Sequence, residues 1–369
     1  MKTNLLLVMI LVLLFALGPT SMEPRDVSED TPDSSTVYYC PMHEDQRASE
    51  PGTCAVCGMA LVAGIERTRV GIFVFDNMQI LDFAGPYDVF ATNSDEFEVF
   101  TVSEKTGPVK ATNNLSVNPS FTFDNSPPID VLVIPGGNVG APIANPRVIR
   151  WIRESARDAD YVLSVCTGAF LIAKAGLLEN QTATTYASAI DQLRRLYPHT
   201  EVVDDRRYVD NGKIVVSAGI SSGIDAALYL VGKLTGMGAA QQVALSLEYD
   251  WDPHSSYVRA QLADQFLPRF RPSAEMEMRL DRSEGDRDSW EVEGTITTSL
   301  TLHELATELR KSLSADGQWE FDRAVENGRA TLTGHREGTN GRAWRTVLQL
   351  EDATDGGAYQ MQMTLRLGG

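Results

Sequence analysis

Cysteine is scarce in this chain. Four occur among 369 residues, three of them between positions 40 and 57 and the fourth alone at 166. That distribution excludes a disulfide framework, in which paired cysteines are spread through the fold they staple. Positive charge is short as well. Lys and Arg number 32 against 50 Asp and Glu, which leaves a formal net charge of −18. Binding to phosphates needs a cationic footprint, so the balance argues against nucleic acid as a partner. Hydrophobic residues at 43% and charged residues at 22% exclude a mostly disordered chain. The length exceeds what one core usually supports, so two or three units are expected.

An uninterrupted apolar run occupies residues 5–17, after Lys2 and before Gly18-Pro19-Thr20-Ser21. It is shorter than the ~20 residues of a membrane span and reads as an export signal over residues 1–21. The protein is therefore expected to be exported, periplasmic or otherwise extracytoplasmic. Contact with a membrane is expected only if the segment stays uncleaved. Residues 22–36 are Glu, Asp, Ser, Thr and Pro with almost nothing apolar, as in a disordered linker.

Residues 37–63 form a cysteine-rich module. Tyr38-Tyr39-Cys40-Pro41-Met42-His43 is followed, ten residues on, by Cys54-Ala55-Val56-Cys57-Gly58-Met59. Two ligands separated by two residues can hold one metal from a tight knuckle, and two knuckles complete a tetrahedral site. Cys40, His43, Cys54 and Cys57 are the candidate ligands for one divalent or soft ion. Three thiolates and an imidazole suit zinc, while the thioethers of Met42 and Met59 suit copper. The module has little apolar surface to bury, so metal would supply its folding energy. A structural zinc knuckle, a sensing or delivery role, and a Cys54–Cys57 disulfide all remain open at this level.

From 68 to 268 apolar strands alternate with helical patterns. The runs 69–75, 97–102, 131–134 and 161–165 read as buried parallel strands, and 147–156, 169–177, 188–196 and 222–234 as helices. That alternation gives an α/β doubly wound parallel sheet. Residues 108–123 read as a hairpin inserted into it. After the Pro- and Arg-containing stretch 267–272, residues 273–369 change texture. Tyr359, Met361, Met363, Leu365 and Leu367 alternate with polar residues, as do Trp344, Thr346, Leu348 and Leu350. With one amphipathic helix near 301–312, this is a small α+β domain. No catalytic constellation is visible in it.

Cys166 ends the strand 161–165 and opens the next helix, followed by Thr167 and Gly168. A strand–residue–helix turn with small neighbours is a nucleophile-elbow arrangement. A helix N-terminus there should favour the thiolate.

These motifs carry two resemblances. The cysteine-rich run resembles the heavy-metal-binding domain found on copper and silver efflux proteins. The middle region resembles the ThiJ/PfpI superfamily, also called class I glutamine amidotransferase-like, and is most similar to its isonitrile-hydratase-like branch and to sensor domains of AraC-type regulators. The resemblance rests on Ile80-Leu81-Asp82-Phe83-Ala84-Gly85-Pro86, Pro135-Gly136-Gly137, Val165-Cys166-Thr167-Gly168, Thr184-Thr185 and Ser217-Ala218-Gly219-Ile220. It implies a flavodoxin-like sandwich with Cys166 on the elbow. A small-molecule substrate or ligand and no cofactor at that site are expected, and a homodimer stays open. It implies that Asp82 hydrogen-bonds the cysteine, that Asp82 and Thr167 assist the chemistry, and that backbone amides near Gly137 and Thr167 stabilise an anion. Family members that act as peptidases or amidotransferases carry a His beside the cysteine. Here Thr167 follows it, and His199 lies in a distant turn, so no Cys-His-acid triad is expected. Two activities then compete: cysteine-dependent hydration or hydrolysis of a small electrophile, and non-catalytic thiol, redox or metal-stress sensing.

Overall fold

A computed structural model describes residues 36–65, 67–255, 257–270, 275–337, 343–353 and 357–368. The expected export signal and nearly all of the expected linker lie outside the described residues. Among the described residues no helix is long and apolar enough to cross a membrane. The chain divides into two compact units, 1–66 and 67–369.

In the first unit, Thr36–Cys40 pairs antiparallel with His43–Ala48 on one side and with Val62–Ile65 on the other. The pairing register shifts at Tyr39/Cys40, so that Cys40 faces His43 across the two-residue tip Pro41-Met42. The intervening loop is pinned by a bridge between Thr53 and Ala60.

The second unit holds a seven-stranded sheet. Its order is Tyr208–Asp210, Ile214–Ser217, Tyr161–Val165, Val131–Ile134, Thr68–Phe73, Phe97–Ser103 and Phe121–Thr122. All neighbours run parallel except the edge pair Tyr208–Asp210 and Ile214–Ser217. In chain order the five long parallel strands lie 2-1-3-4-5, the flavodoxin-like doubly wound order. These strands are buried on both faces, which is why they read as continuous apolar runs rather than alternating ones. Helices Ile80–Thr92, Pro146–Asp158, Gly168–Lys174, Ser221–Thr235 and Met237–Ser246 belong to the same region. The helix Met237–Ser246 was not evident from periodicity, and its Ala- and Gly-rich sequence explains the weak pattern. The expected hairpin is confined to Val109–Lys110 and Ser116–Val117, while Phe121–Thr122 joins the main sheet as a parallel edge strand.

The remaining residues build a six-stranded antiparallel sheet in the order Met276–Gly285, Ser289–Thr298, Ala358–Leu367, Ala343–Asp352, Arg329–Glu337, Glu320–Glu326. One helix, Leu302–Leu313, covers one face and starts at a capping box made by Thr301 and Glu304. Tyr359, Met361, Met363 and Leu365 point into a second core with Trp344, Leu348 and Leu305, and the segment 263–270 contributes Ala263 and Phe266 to it.

Candidate active site and metal centre

In doubly wound sheets ligands bind beyond the carboxyl ends of the strands, where the strand order reverses. Four chain segments meet there. The first strand leads through a turn to Asp82 in the helix Ile80–Thr92. The third strand runs into Pro135-Gly136-Gly137. The fourth ends at Cys166, and the fifth leads to Gly219-Ile220.

Cys166 adopts φ +57, a left-handed conformation that costs a non-glycine residue free energy and persists where surroundings over-determine it. Here the Cys166 amide donates to the Ser217 carbonyl at 3.2 Å. The Thr185 hydroxyl, fully buried, donates to the Cys166 carbonyl at 2.8 Å. The thiol is 6% exposed and is acted on by the Asp82 carboxyl, which is wholly buried. Asp82 also accepts from the Gly136 amide at 3.2 Å and the Ile220 amide at 3.1 Å, so both oxygens are held by backbone donors. Gly136 must be glycine, because a Cβ there would lie 2.6 Å from the Thr167 nitrogen and 2.9 Å from an Asp82 oxygen.

Burial pushes the Asp82 carboxyl up to about 6, against the thiol and the two amides that stabilise its charge. Burial also pushes the Cys166 thiol up, reinforced by the Asp82 charge and opposed by the Thr167 backbone amide. The expectation of a thiolate favoured by the helix N-terminus is therefore corrected. The helix Gly168–Lys174 is two turns long, and desolvation beside a carboxyl outweighs it. The pair holds one proton across the neutral range, because removing it would leave two negative charges in contact within a dry site. Moving that proton from sulfur to carboxyl changes no net charge, so the site is built for internal transfer.

Cys166, Asp82 and Thr167 are brought together. Gly137 is not free to bind an anion: its amide donates to the Thr167 hydroxyl at 2.9 Å, and that hydroxyl donates back to the Gly137 carbonyl at 2.9 Å. Gly137 thus locks Thr167 rather than presenting a donor, and the backbone amide that favours ionisation of the thiol is Thr167's own. Among the described residues no histidine is among the groups acting on the thiol, and His199 is exposed. Three functional contacts escaped the sequence reading: Thr185, Gly136 and Ile220. Ile220 adopts φ +51, a genuine outlier for a β-branched residue. All three lie inside motifs quoted above, but the contacts they make span up to 138 residues of chain.

In the first unit the ligand atoms of Cys40, His43, Cys54 and Cys57 lie within 4.8 Å of one another. Cys40 Sγ is 3.5 Å from Cys57 Sγ, and His43 Nδ1 is 3.7 Å from both Cys40 Sγ and Cys54 Sγ. A tetrahedron with metal–sulfur bonds of about 2.3 Å has edges of about 3.8 Å, so the four atoms already outline such a site. Gly58 takes φ +74 and donates to the Cys54 carbonyl at 2.8 Å, turning the chain so that amides face sulfur. Val56 donates to Cys54 Sγ at 3.4 Å. Desolvation opposes ionisation of Cys54, yet the Cys57 and Val56 amides and the neighbouring thiols bring it down to about 6. The Met59 amide favours ionisation of Cys57, but desolvation, hydrogen bonding with the Cys40 and Cys54 thiols and the charge of Cys40 push that thiol up. The arrangement is a Cys/His cluster with the chemistry and the spacing of a metal site.

Fold and site together define an α/β sandwich protein with a cysteine elbow and a carboxyl partner. Residues 68–233 match the model of the DJ-1/PfpI family, and residues 37–63 that of the heavy metal binding domain. The isonitrile hydratase of Pseudomonas putida is 38% identical over 182 residues, covering 49% of this chain and 78% of that protein. The chain belongs to the DJ-1/PfpI family. The HTH-type transcriptional regulator CdhR of Pseudomonas aeruginosa is 30% identical over 152 residues, which are 41% of this chain and 45% of the regulator. A THiJ/PfpI family protein from Pseudomonas syringae, of known crystal structure, is 27% identical with a TM-score of 0.47, over 52% of this chain and 78% of that one.

Proposed function

We propose that the second unit is a cysteine-dependent hydratase or hydrolase of small electrophilic carbon compounds, with isonitriles as the first class to test. The observation that carries this reading is the Cys166 thiol, held at φ +57 against the buried carboxyl of Asp82. The likeness to the isonitrile hydratase supports the choice of substrate class. For an isonitrile, Sγ would bond to the terminal carbon while the thiol proton passes through Asp82 to that carbon, giving a thioimidate. Water then adds to the same carbon and the C–S bond breaks. The thiol regains a proton and an N-substituted formamide leaves, so the sum is isonitrile plus water. Thr167, fixed by Gly137, would position its amide at the sulfur.

Purified protein offered alkyl and aryl isocyanides, with formamide measured by mass spectrometry, tests this directly. Wild type should turn over and Cys166→Ser should not. Asp82→Asn should lose turnover while Cys166 still alkylates. No formamide from any isocyanide would end the substrate assignment. A second reading, ligand sensing without turnover, is favoured by the similarity to a transcriptional regulator. The low exposure of the thiol weighs against its oxidative version, since oxidation follows thiolate character and access.

For the first unit we propose one zinc or copper ion held by Cys40, His43, Cys54 and Cys57. The three thiols and the imidazole support either metal. The run at residues 5–17 supports export.

A further inference from the structure

Next to the site lies a buried ion pair that the chemistry above does not use. The Arg207 and Asp225 side chains are 12% and 7% exposed. Arg207 Nε donates to Asp225 Oδ2 at 2.5 Å, and a second guanidinium nitrogen also meets that oxygen. The same guanidinium donates to the Ser221 hydroxyl at 3.3 Å and the Tyr257 carbonyl at 3.1 Å. Tyr249 donates its hydroxyl to the other Asp225 oxygen at 2.9 Å. The Arg207 carbonyl accepts the Ala218 amide at 2.8 Å. Arg207 therefore grips both ends of the turn Ala218-Gly219-Ile220-Ser221. In the middle of that turn Ile220 holds its costly φ of +51 and aims its amide at Asp82. A β-branched residue stays there only if something outside it fixes the turn.

We propose that the Arg207–Asp225 ion pair is a positioning device for Asp82, holding the Ile220 amide on its carboxyl and so setting how readily the Cys166–Asp82 pair gives up its first proton. The inference rests on the reading of Asp82 as proton carrier. Among the described residues, the groups acting on Asp82 are the Cys166 thiol from the elbow and the amides of Gly136 and Ile220 from two loops. Loss of the Ile220 amide destabilises the ionised carboxyl alone. The direction is therefore fixed: the first proton becomes harder to remove.

The test is the pH profile of Cys166 alkylation by iodoacetamide in the full chain, read by mass spectrometry on the peptide carrying Cys166. In wild type the rate rises through a lower inflection as the pair loses its first proton. Asp225→Asn and Arg207→Gln should move that inflection up by about one pH unit, the effect of one amide hydrogen bond to a charge. Arg207→Lys keeps the cation without the fork and should move it less. Val231→Ala, a buried change in the same helix, should lower thermal stability and leave the inflection in place. If Asp225→Asn does not fold, Ser221→Ala cuts only the guanidinium's link to the turn and should shift the inflection upward by a smaller amount. An unmoved inflection in the folded variants, or an equal shift in Val231→Ala, overturns the proposal. An inflection that survives Asp82→Asn overturns the proton-carrier reading as well. One that vanishes there but stays put in Asp225→Asn overturns the positioning role alone.

Discussion

Asp82→Asn exposes the energetics of the site without reference to any substrate. Two effects of opposite sign meet in this substitution. The wild-type carboxyl titrates near 6 rather than at 3.8, so its ionised form is worse off in the fold than in the unfolded chain by about 3 kcal/mol. Asparagine removes that penalty. It also brings an amide nitrogen where a carboxyl oxygen accepted a backbone donor, and it strands either the Gly136 or the Ile220 amide. A stranded buried donor costs about 1–3 kcal/mol. The folded pKa lies above the unfolded one, so the proton favours the fold. This stabilisation is complete below the unfolded value near 3.8 and is lost as pH rises through about 6. At pH 7.5 the two effects of the substitution should nearly offset, leaving variant and wild type within roughly 1–2 kcal/mol. At pH 4 the relief disappears, and wild type should be the more stable by about 1–3 kcal/mol. Urea melts of both proteins at the two pH values measure the gap. A gap that does not change with pH would show that Asp82 is not the group that titrates near 6.

Three further outcomes are expected. Wild type should bind one zinc or copper ion per chain by elemental analysis, and Cys54→Ser should abolish this, because three ligands rarely hold a structural ion; full stoichiometry in the variant contradicts the ligand set. Gly136→Ala should lose Cys166 alkylation and melt at least several degrees lower, because its Cβ would collide with the Thr167 backbone; wild-type alkylation would mean that the loop moves freely. In cells, a chain beginning near residues 18–22 should be recovered outside the cytoplasm, and full-length chain in the cytosol would exclude export.

Local pattern made much of the molecule legible. The period-two alternation of Tyr359, Met361, Met363 and Leu365 holds because this strand of the C-terminal sheet has one face on the core. The continuous apolar runs at 131–134 and 161–165 hold because helices cover both faces of the parallel sheet. The metal cluster was legible because each half of it, Cys40 with His43 and Cys54 with Cys57, is a single tight turn. Cys166 stood out because the strand-to-helix change is itself a sequence signal. Tertiary structure decided what none of these patterns contains. The sequence suggested a thiol activated by a helix; burial beside Asp82 reversed the direction of its shift. It suggested an anion-binding amide at Gly137; a reciprocal pair of hydrogen bonds with Thr167 took that amide away. It gave no sign that Ile220 would hold Asp82, since that bond joins residues 138 positions apart. Hydrophobic period and turn chemistry act between near neighbours and are written in order along the chain. Desolvation and hydrogen-bond partnership depend on which distant segments share a dry space, and only folding brings those together.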